Sequence, residues 1–304
     1  MPNPTAGKVG LRERLLAFLQ ARESLTVWLE FLPGALWLGV FLIIPLAMMV
    51  VISFWRTSFS GVEAAWNLDN YRKFLTDPMF IRLLLKSMRI AITVTVLLLI
   101  IAYPLAYWLA KKVHGFKYLA LILIIIPYWI SYVIRTYAWY PLLGNKGFIN
   151  ALLLGLGVID TPLQVLIFNQ FTTHLGLMVV YLPFAVIPIY LSLDRLSDRY
   201  LEAAQDLGAG PFQTFMHVTL PLSLPGVLGA SLMVFILAVG AYVTPEILGG
   251  PSGIMYGQII ADQFGITFNW AWGGTLALFL MVVALTWILS IGRWVKLRKI
   301  FVED

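Results

Sequence analysis

Long apolar runs dominate the chain and are separated by shorter polar connections. Each run is close to the roughly 20 residues that a helix needs to cross the hydrocarbon core of a bilayer. The runs cover residues 33–55, 88–110, 118–140, 172–193, 222–247 and 271–292. This pattern predicts an all-α, polytopic membrane protein with about six transmembrane helices, and an even number of spans places both termini on one side.

The runs divide the chain into a membrane domain over residues 33–292 and two tails, 1–32 and 293–304. In the N-terminal tail, apolar residues such as Leu11 and Leu15 recur at helical spacing with charges between them. An amphipathic helix lying in the membrane interface has this pattern. A helix packed against the other spans has it too, so both interpretations stay open.

Two connections carry helical signals of their own. Residues 67–85 predict a short helix capped by Asp69 or Asn70, a break at Pro78 and then a second helix. The stretch 141–170 is moderately apolar but rich in glycine, so a full span is disfavoured. We therefore expect a re-entrant or surface-lying helix there.

Charge indicates which way the chain is oriented. Hydrophobic residues make up 60% of the 304 residues and charged ones only 12%, roughly half the charge of a soluble domain. The tails and the second and fourth connections hold about 13 Lys and Arg, against about 6 in the other connections. The positive-inside rule therefore predicts cytoplasmic termini. The net charge of +6 does not indicate a nucleic-acid partner, because the basic residues flank apolar runs.

Catalytic and metal motifs are missing from the sequence. There is no cysteine, which excludes disulfides, thiolate nucleophiles and cysteine-ligated metals. No Gly-x-x-x-x-Gly-Lys-Ser/Thr loop is present, and the three histidines share no metal-ligand spacing. The chain is therefore predicted to be a non-enzyme without a metal or cofactor of its own.

A polar segment, residues 194–221, lies between the fourth and fifth runs. Its first part consists of good helix formers, Gly208 can close that helix, and Pro211 can open the next. Two short helices should therefore meet at a bend, with apolar and acidic side chains on the cytoplasmic side. The apolar set is Leu201, Leu207, Phe212 and Phe215, and the acidic set is Asp198, Glu202 and Asp206. So many exposed apolar groups predict a helix-in-groove contact with a partner.

This segment resembles the loop motif of ABC importer permeases. The motif is Glu-Ala-Ala, three residues, Gly, nine residues, a β-branched residue, one residue and Leu-Pro, and the chain departs from it only in Val218, where Ile is usual. The resemblance implies the type I ABC importer permease fold, with alternating access between paired permease subunits, a cytoplasmic ATPase dimer that binds ATP and Mg, and an extracytoplasmic solute-binding protein. It also implies these ATPase-coupling residues: Glu202, Ala203, Ala204, Asp206, Leu207, Gly208, Phe212 and Phe215.

From about Leu68 onward the chain is more closely similar to spermidine/putrescine permease subunits. The similar segments are Leu68-Asp-Asn-Tyr71, Tyr103-Pro-Leu-Ala-Tyr107, Pro127-Tyr-Trp129, Gly155-Leu-Gly-Val-Ile-Asp-Thr-Pro162 and Thr244-Pro-Glu-Ile-Leu-Gly-Gly250. They imply a polyamine as solute, a second homologous permease subunit and the bacterial inner membrane. Permeases for opines and other organic cations look similar, so those solutes stay open.

Ionisable residues inside spans are costly and call for a partner or a role. Glu246 follows Tyr242 by four residues, and a carboxylate beside an aromatic ring suits an ammonium group. A carboxylate at the helix end, in the headgroup region, is the alternative. Arg135 is expected to be structural, either paired with an acidic residue or snorkelling outward. It shares a stripe with aromatic residues that either line the solute path or form an interfacial belt: Tyr128, Tyr132 and Trp139.

A secondary transporter driven by an ion gradient is the alternative from another class. Such a protein would be expected to show more intramembrane carboxylates and an inverted repeat, and neither is clear in this sequence. An intramembrane enzyme would need a nucleophile or a metal set that the chain lacks. The sequence therefore favours a permease subunit that draws its energy from a separate ATPase.

Overall fold

The first span is a single helical stretch with a change of winding in its middle. The computed structural model describes residues 23–58, 61–113 and 115–302, and among them side chains from residue 30 to residue 293. The predicted tail residues Leu11 and Leu15 lie outside this part. Helix α1 covers Glu23–Leu38, a π turn follows at Gly39–Ile43, and α2 covers Ile44–Ser53. Pro45, which has no N–H to donate, lies in the first turn of α2 beside the π turn.

The first connection is a hairpin followed by a short helix. Strand β1, Arg56–Ser58, pairs antiparallel with β2, Gly61–Glu63, and helix α3 covers Asp69–Thr76. The predicted cap at Asp69 or Asn70 is wrong, because Leu68 precedes the helix and Asn67 Oδ1 accepts the hydrogen bond of the first backbone N–H, that of Asp69, at 3.0 Å.

The side chain of Asn70 instead ties α3 to the end of the first span. Its Nδ2 donates to the carbonyl oxygens of Ser53 at 3.1 Å and Trp55 at 3.0 Å. The hydroxyl of Tyr71 lies 2.6 Å from that of Ser53. The motif Leu68-Asp-Asn-Tyr71 therefore anchors the end of the first span.

The helix after Pro78 is part of the second span. Helix α4 runs without a break over Pro78–Lys111, and Asp77 caps it by accepting a hydrogen bond from the backbone N–H of Met79 at 2.9 Å. Proline at the first position suits a helix start, because its missing N–H would have no partner there. The predicted break and the helix after it are therefore confirmed, and the second span begins at Pro78 instead of the predicted residue 88.

The third apolar run is broken. Helix α5, Lys117–Ile125, continues into a 3₁₀ turn at Ile126–Trp129, and Ile130 and Ser131 then adopt extended backbone with ψ of 138° and 136°. The chain resumes in another direction, so Lys117–Trp129 and Tyr132–Gly155 are bent by 98°. The predicted span over residues 118–140 is therefore broken at Ile130 and Ser131. The second arm contains α6 Tyr132–Tyr137, α7 Tyr140–Leu143 and α8 Phe148–Gly155.

The remaining helices complete the bundle. After a 3₁₀ turn at Gln164–Leu166, the chain forms α9 Gln170–Asp194, α10 Asp198–Asp206, α11 Pro211–Thr214, a π turn at Phe215–Thr219, α12 Leu220–Val239, a π turn at Pro245–Gly249, α13 Gly250–Gly253, α14 Tyr256–Gly265 and α15 Trp270–Val302. The fifth span thus ends at Val239, and Glu246 lies in a separate turn beyond it.

The described residues contain five helices long and apolar enough to cross a membrane, or up to six if the bent pair counts as one span. Apart from the short hairpin, the regular structure of the described residues is helical. The predicted all-α fold with about six spans is confirmed in this form.

Helix α9 lies at the centre and packs on both α4 and α12. The α9–α12 contact is close at Gly226, where a Cβ atom would lie 2.5 Å from the carbonyl oxygen of Pro188. Only glycine fits at this crossing without a shift of the backbone. We call the end of the bundle that holds residues 195–219 the loop end and the opposite end the far end.

Candidate functional site

The segment at the loop end forms the two predicted short helices. Helix α10 ends at Asp206, and Gly208 adopts a φ of +84°, a conformation that glycine reaches without strain. Pro211 begins α11, and the side chain of Gln213 accepts a hydrogen bond from the backbone N–H of Gly210 at 3.2 Å. The bend is therefore fixed by local backbone chemistry.

Two of the predicted apolar groups project fully from this bend. The side chains of Leu207 and Phe212 are 88% and 70% exposed. Glu202, Ala203 and Asp206 are exposed on α10. Large apolar groups are rarely left this exposed in water unless a partner covers them.

Phe215 departs from the expectation that it projects. It is half-buried, and its ring meets that of Tyr103 edge to face with centroids 5.6 Å apart. The hydroxyl of Tyr103 lies 2.7 Å from that of Ser223 on α12. Phe215 therefore connects the bend to the transmembrane helices. Leu201 and Ala204 are likewise half-buried.

Two lysines at the ends of the second connection, Lys111 and Lys117, attach it to the loop end and to the end of α9. The ammonium group of Lys111 donates to Asp198 Oδ1 at 2.7 Å and to the carbonyl oxygen of Leu196, and its side chain is only 8% exposed. Lys117 donates to Asp194 Oδ1 at 3.1 Å. Both lysines flank the second connection, so this connection and the loop end are joined on two sides.

At the far end, Tyr242 and Glu246 lie on one exposed face of an otherwise buried stretch. Tyr242 is 47% exposed and Glu246 is exposed, whereas the residues between them are buried. The backbone N–H of Glu246 donates to the carbonyl oxygen of Tyr242 at 3.0 Å. The ring and the carboxylate therefore leave the protein surface on the same side.

Two of the three aromatic residues of the third run, Tyr132 and Trp139, pack against this turn. The hydroxyl of Tyr132 lies 2.8 Å from that of Thr244, and Trp139 packs on a cluster that includes Val243 and Ile247. The ring of Tyr128 meets Phe184 edge to face at 5.3 Å. All three aromatic residues are half-buried, whereas Tyr242 and Glu246 face outward.

Arg135 has an aromatic partner instead of an acidic one. Its guanidinium lies 4.3 Å from the ring centre of Tyr128 and 6.0 Å from that of Tyr132, and Nη1 donates to the carbonyl oxygen of Pro127 at 3.3 Å. No ion pair involves Arg135 within residues 30–293 as described. The expected pairing with a carboxylate is therefore wrong there, since the charge rests against aromatic faces.

Several residues that organise the site were not singled out in the sequence. Thr244 is fully buried and holds Tyr132, and Ser223 holds Tyr103. Thr244 and Tyr103 stand in segments that resemble the permease family, so the position of those segments was the available signal. Their pairing joins residues more than a hundred positions apart in sequence, which periodicity does not reveal.

The helical bundle, with five or six helices long and apolar enough to cross a membrane, agrees with a multi-pass membrane protein. Residues 103–295 match the model of the family described as "Binding-protein-dependent transport system inner membrane component", and the chain belongs to this family. It is 37% identical over 248 residues to the spermidine/putrescine transport system permease protein PotB of Escherichia coli (strain K12), covering 81% of this chain and 90% of that protein. PotB of Haemophilus influenzae is 32% identical over 270 residues, covering 88% of this chain and 94% of that protein.

Solved structures agree on the fold. The chain superposes with a TM-score of 0.64 on a chain of a bacterial ABC transporter involved in the import of the acidic polysaccharide alginate, covering 93% of this chain and 98% of that one at 18% identity. For a chain of the MetNI methionine ABC transporter the TM-score is 0.56 at 19% identity, and the match covers 73% of this chain and 98% of that one. At such identities the likeness concerns the fold alone.

The family assignment fixes the class of function. The chain is the permease subunit of an ABC importer and a multi-pass inner-membrane protein. It is a non-catalytic subunit of a binding-protein-dependent transport system. The alternatives of a secondary transporter and an intramembrane enzyme are thereby excluded.

Proposed function

We propose that this permease imports a small cationic solute of the polyamine class, putrescine or spermidine. The observation that carries the proposal is the outward-facing pair at the far end, Tyr242 and Glu246. A carboxylate attracts an ammonium group and an aromatic face binds the same cation, so together they suit a linear polyamine. The relatives named as spermidine/putrescine permeases support the same solute class.

The aromatic residues of the broken third run complete the proposed path. Tyr132 and Trp139 hold the Glu246 turn in place, and Tyr128 lies beside them. Arg135 would repel a cation if its charge faced the path. The guanidinium instead packs against the ring of Tyr128, which partly offsets its charge. A cation can therefore pass along the proposed path.

We propose that the loop end is the ATPase contact. Leu207 and Phe212 supply apolar anchors for a groove, and Glu202 and Asp206 supply orienting charge. The remaining contact residues of the coupling loop 194–221 are Ala203, Ala204, Gly208 and Phe215. ATP and Mg bind in the ATPase dimer, and this chain holds no cofactor.

The proposed complex has further members and a fixed orientation. A second homologous permease subunit lies beside this one within the lipid, and the solute-binding protein docks at the far end. The loop end and both termini face the cytoplasm, in agreement with the excess of Lys and Arg there. The tails 1–32 and 293–304 then flank one membrane domain over residues 33–292.

ATP-driven uptake by the reconstituted complex tests the solute class. Proteoliposomes holding this chain, the ATPase, the second permease and the binding protein should accumulate labelled spermidine or putrescine. The variant Glu246→Gln should reduce uptake by at least about tenfold, since a lost charge contact is worth 1.4 kcal/mol or more. The matched control is Asp160→Asn, an exposed carboxylate elsewhere in the far-end connections.

The two possible failures of this test have different meanings. Wild-type uptake by the Glu246→Gln variant would remove Glu246 from the solute path while the importer assignment stands. Uptake of an opine or another organic cation, without uptake of polyamines, would contradict the proposed solute class. The proposed site at Glu246 would still stand.

A further inference from the structure

The Lys111 clamp, defined as Lys111 with its acceptors Leu196 and Asp198, joins the second span to the coupling loop. The lysine side chain is almost fully buried, although its ammonium group carries a charge. Burying a charge costs several kcal/mol unless it is paired and hydrogen-bonded. Here one acceptor is a carboxylate and the other a backbone carbonyl, so the cost is offset by contacts to the start of α10.

A second set of contacts holds α4 farther inside the bundle, at Tyr103. Tyr103 lies eight positions before Lys111, about 12 Å along the helix axis at 1.5 Å per residue. Its hydroxyl meets that of Ser223 at 2.7 Å, and its ring meets Phe215 in the π turn after α11. Helix α4 is therefore held at two levels by residues on both sides of the bend.

The same helix also reaches the far end. The hydroxyl oxygen of Ser87 on α4 accepts a hydrogen bond from the backbone N–H of Tyr256 at 2.7 Å, and both residues are fully buried. Tyr256 begins α14, which follows the turn that carries Glu246. One continuous helix thus contacts the coupling loop and the segment beyond the proposed solute residue.

We propose that Lys111 is a positioning residue that makes α4 and the coupling helix α10 move as one body, so that motion of the loop end reaches the far end through α4. The inference rests on the proposed ATPase contact of the loop. A packed helix shifts as a unit rather than deforming, because interiors are close-packed. Loss of the clamp should therefore separate ATP hydrolysis from solute movement while leaving the ATPase bound.

The test compares two neighbouring lysines in the complete complex of this chain, ATPase, second permease and binding protein. Lys111→Met should lower the solute moved per ATP hydrolysed by about tenfold, within the usual range of coupling effects, with ATP hydrolysis and ATPase co-purification kept. Lys112→Met removes the same charge from an exposed neighbour and should leave the ratio unchanged. Lys111→Arg, which retains charge and donors, should restore coupling. A wild-type ratio in Lys111→Met overturns the proposal.

A second measurement leaves the clamp intact. Because the chain has no cysteine, Lys112→Cys, directly after the end of α4, and Arg199→Cys on α10 give the chain a unique pair of thiols for a bifunctional cross-linking reagent. If the two helices move together, the cross-linked complex should transport at the uncross-linked rate, and a loss of about tenfold or more overturns the inference. Failure of the wild-type chain to bind the ATPase would instead contradict the proposed function.

Discussion

The hydroxyl of Tyr132 lies 2.8 Å from the hydroxyl of Thr244, and this contact joins the broken third run to the turn that carries Glu246. Thr244 is fully buried and precedes Pro245, which begins the turn. The aromatic residues of one run and the carboxylate of another are therefore parts of a single structural unit. The break at Ile130 and Ser131 gives Tyr132 the backbone direction from which it makes this contact.

Removing the Tyr132 hydroxyl should loosen the Glu246 turn. Tyr132→Phe leaves the Thr244 hydroxyl without this partner, which costs about 1–3 kcal/mol for a buried group. We expect a lower thermal unfolding temperature and a raised KM for solute uptake. Tyr137→Phe is the control, because Tyr137 lies on the same short helix with an exposed side chain. Equal effects of the two variants would contradict the role of the Tyr132–Thr244 contact.

The exposed side chains of Leu207 and Phe212 at the bend should control the affinity for the ATPase. Leu207→Ala and Phe212→Ala each remove an apolar anchor, and each should weaken ATPase binding by about tenfold, or about 1.4 kcal/mol. Binding of the ATPase to the permease pair in nanodiscs measures this directly. Val179→Ala, on the exposed surface of α9, should bind like wild type. Unaltered affinity in both loop variants would show that the ATPase docks elsewhere.

At the crossing of α9 and α12, adding even one methyl group at Gly226 should lower the stability of the fold. In Gly226→Ala the new Cβ would lie 2.5 Å from the Pro188 carbonyl oxygen and 2.5 Å from the Ser192 Cβ. Overpacking of this kind typically costs about 1–3 kcal/mol, so the thermal unfolding temperature in detergent should fall. Gly229→Ala is the matched control, since its Cβ would meet only the Pro188 Cβ at an ordinary 3.9 Å. Similar stability of the two variants would contradict the close approach.

The length of the apolar runs predicted the number of spans, and helix formers with Gly208 and Pro211 predicted the short helices of the coupling loop, because both follow from local sequence. The same pattern misplaced one end of each of three spans. Apolar residues continue through the extended backbone at Ile130 and past Val239, so composition gave no sign that the helices stop there. The end of the second span was missed for the opposite reason, since polar residues after Pro78 belong to a continuous helix.

Pairings between distant residues could not be read from the sequence. Lys111 was counted as a topology charge, yet its burial and its bond to Asp198 depend on the folding of α9 and α10 beside α4. Arg135 was expected to pair with an acidic residue or to snorkel outward, and the fold places its guanidinium against the ring of Tyr128. Of these residues only Tyr128 lies in a segment that resembles the permease family, and the resemblance did not give the contacts.

The proposed orientation predicts which surfaces are accessible from outside the cell. Single cysteines introduced at Asp160 and at Lys112 are unique thiols in a chain without cysteine. A membrane-impermeant maleimide should label the Asp160→Cys variant in intact spheroplasts and label Lys112→Cys only after permeabilisation. The reverse pattern would invert the topology that the charge distribution predicts.

Solute-stimulated ATP hydrolysis tests the central claim most directly. The chain is reconstituted with its ATPase, second permease and binding protein, and hydrolysis is measured with spermidine, with putrescine and without solute. We predict stimulation by the polyamines in the wild-type complex and loss of that stimulation in Glu246→Gln. A complex that assembles and hydrolyses ATP but responds to neither polyamine would contradict the claim that this permease imports them.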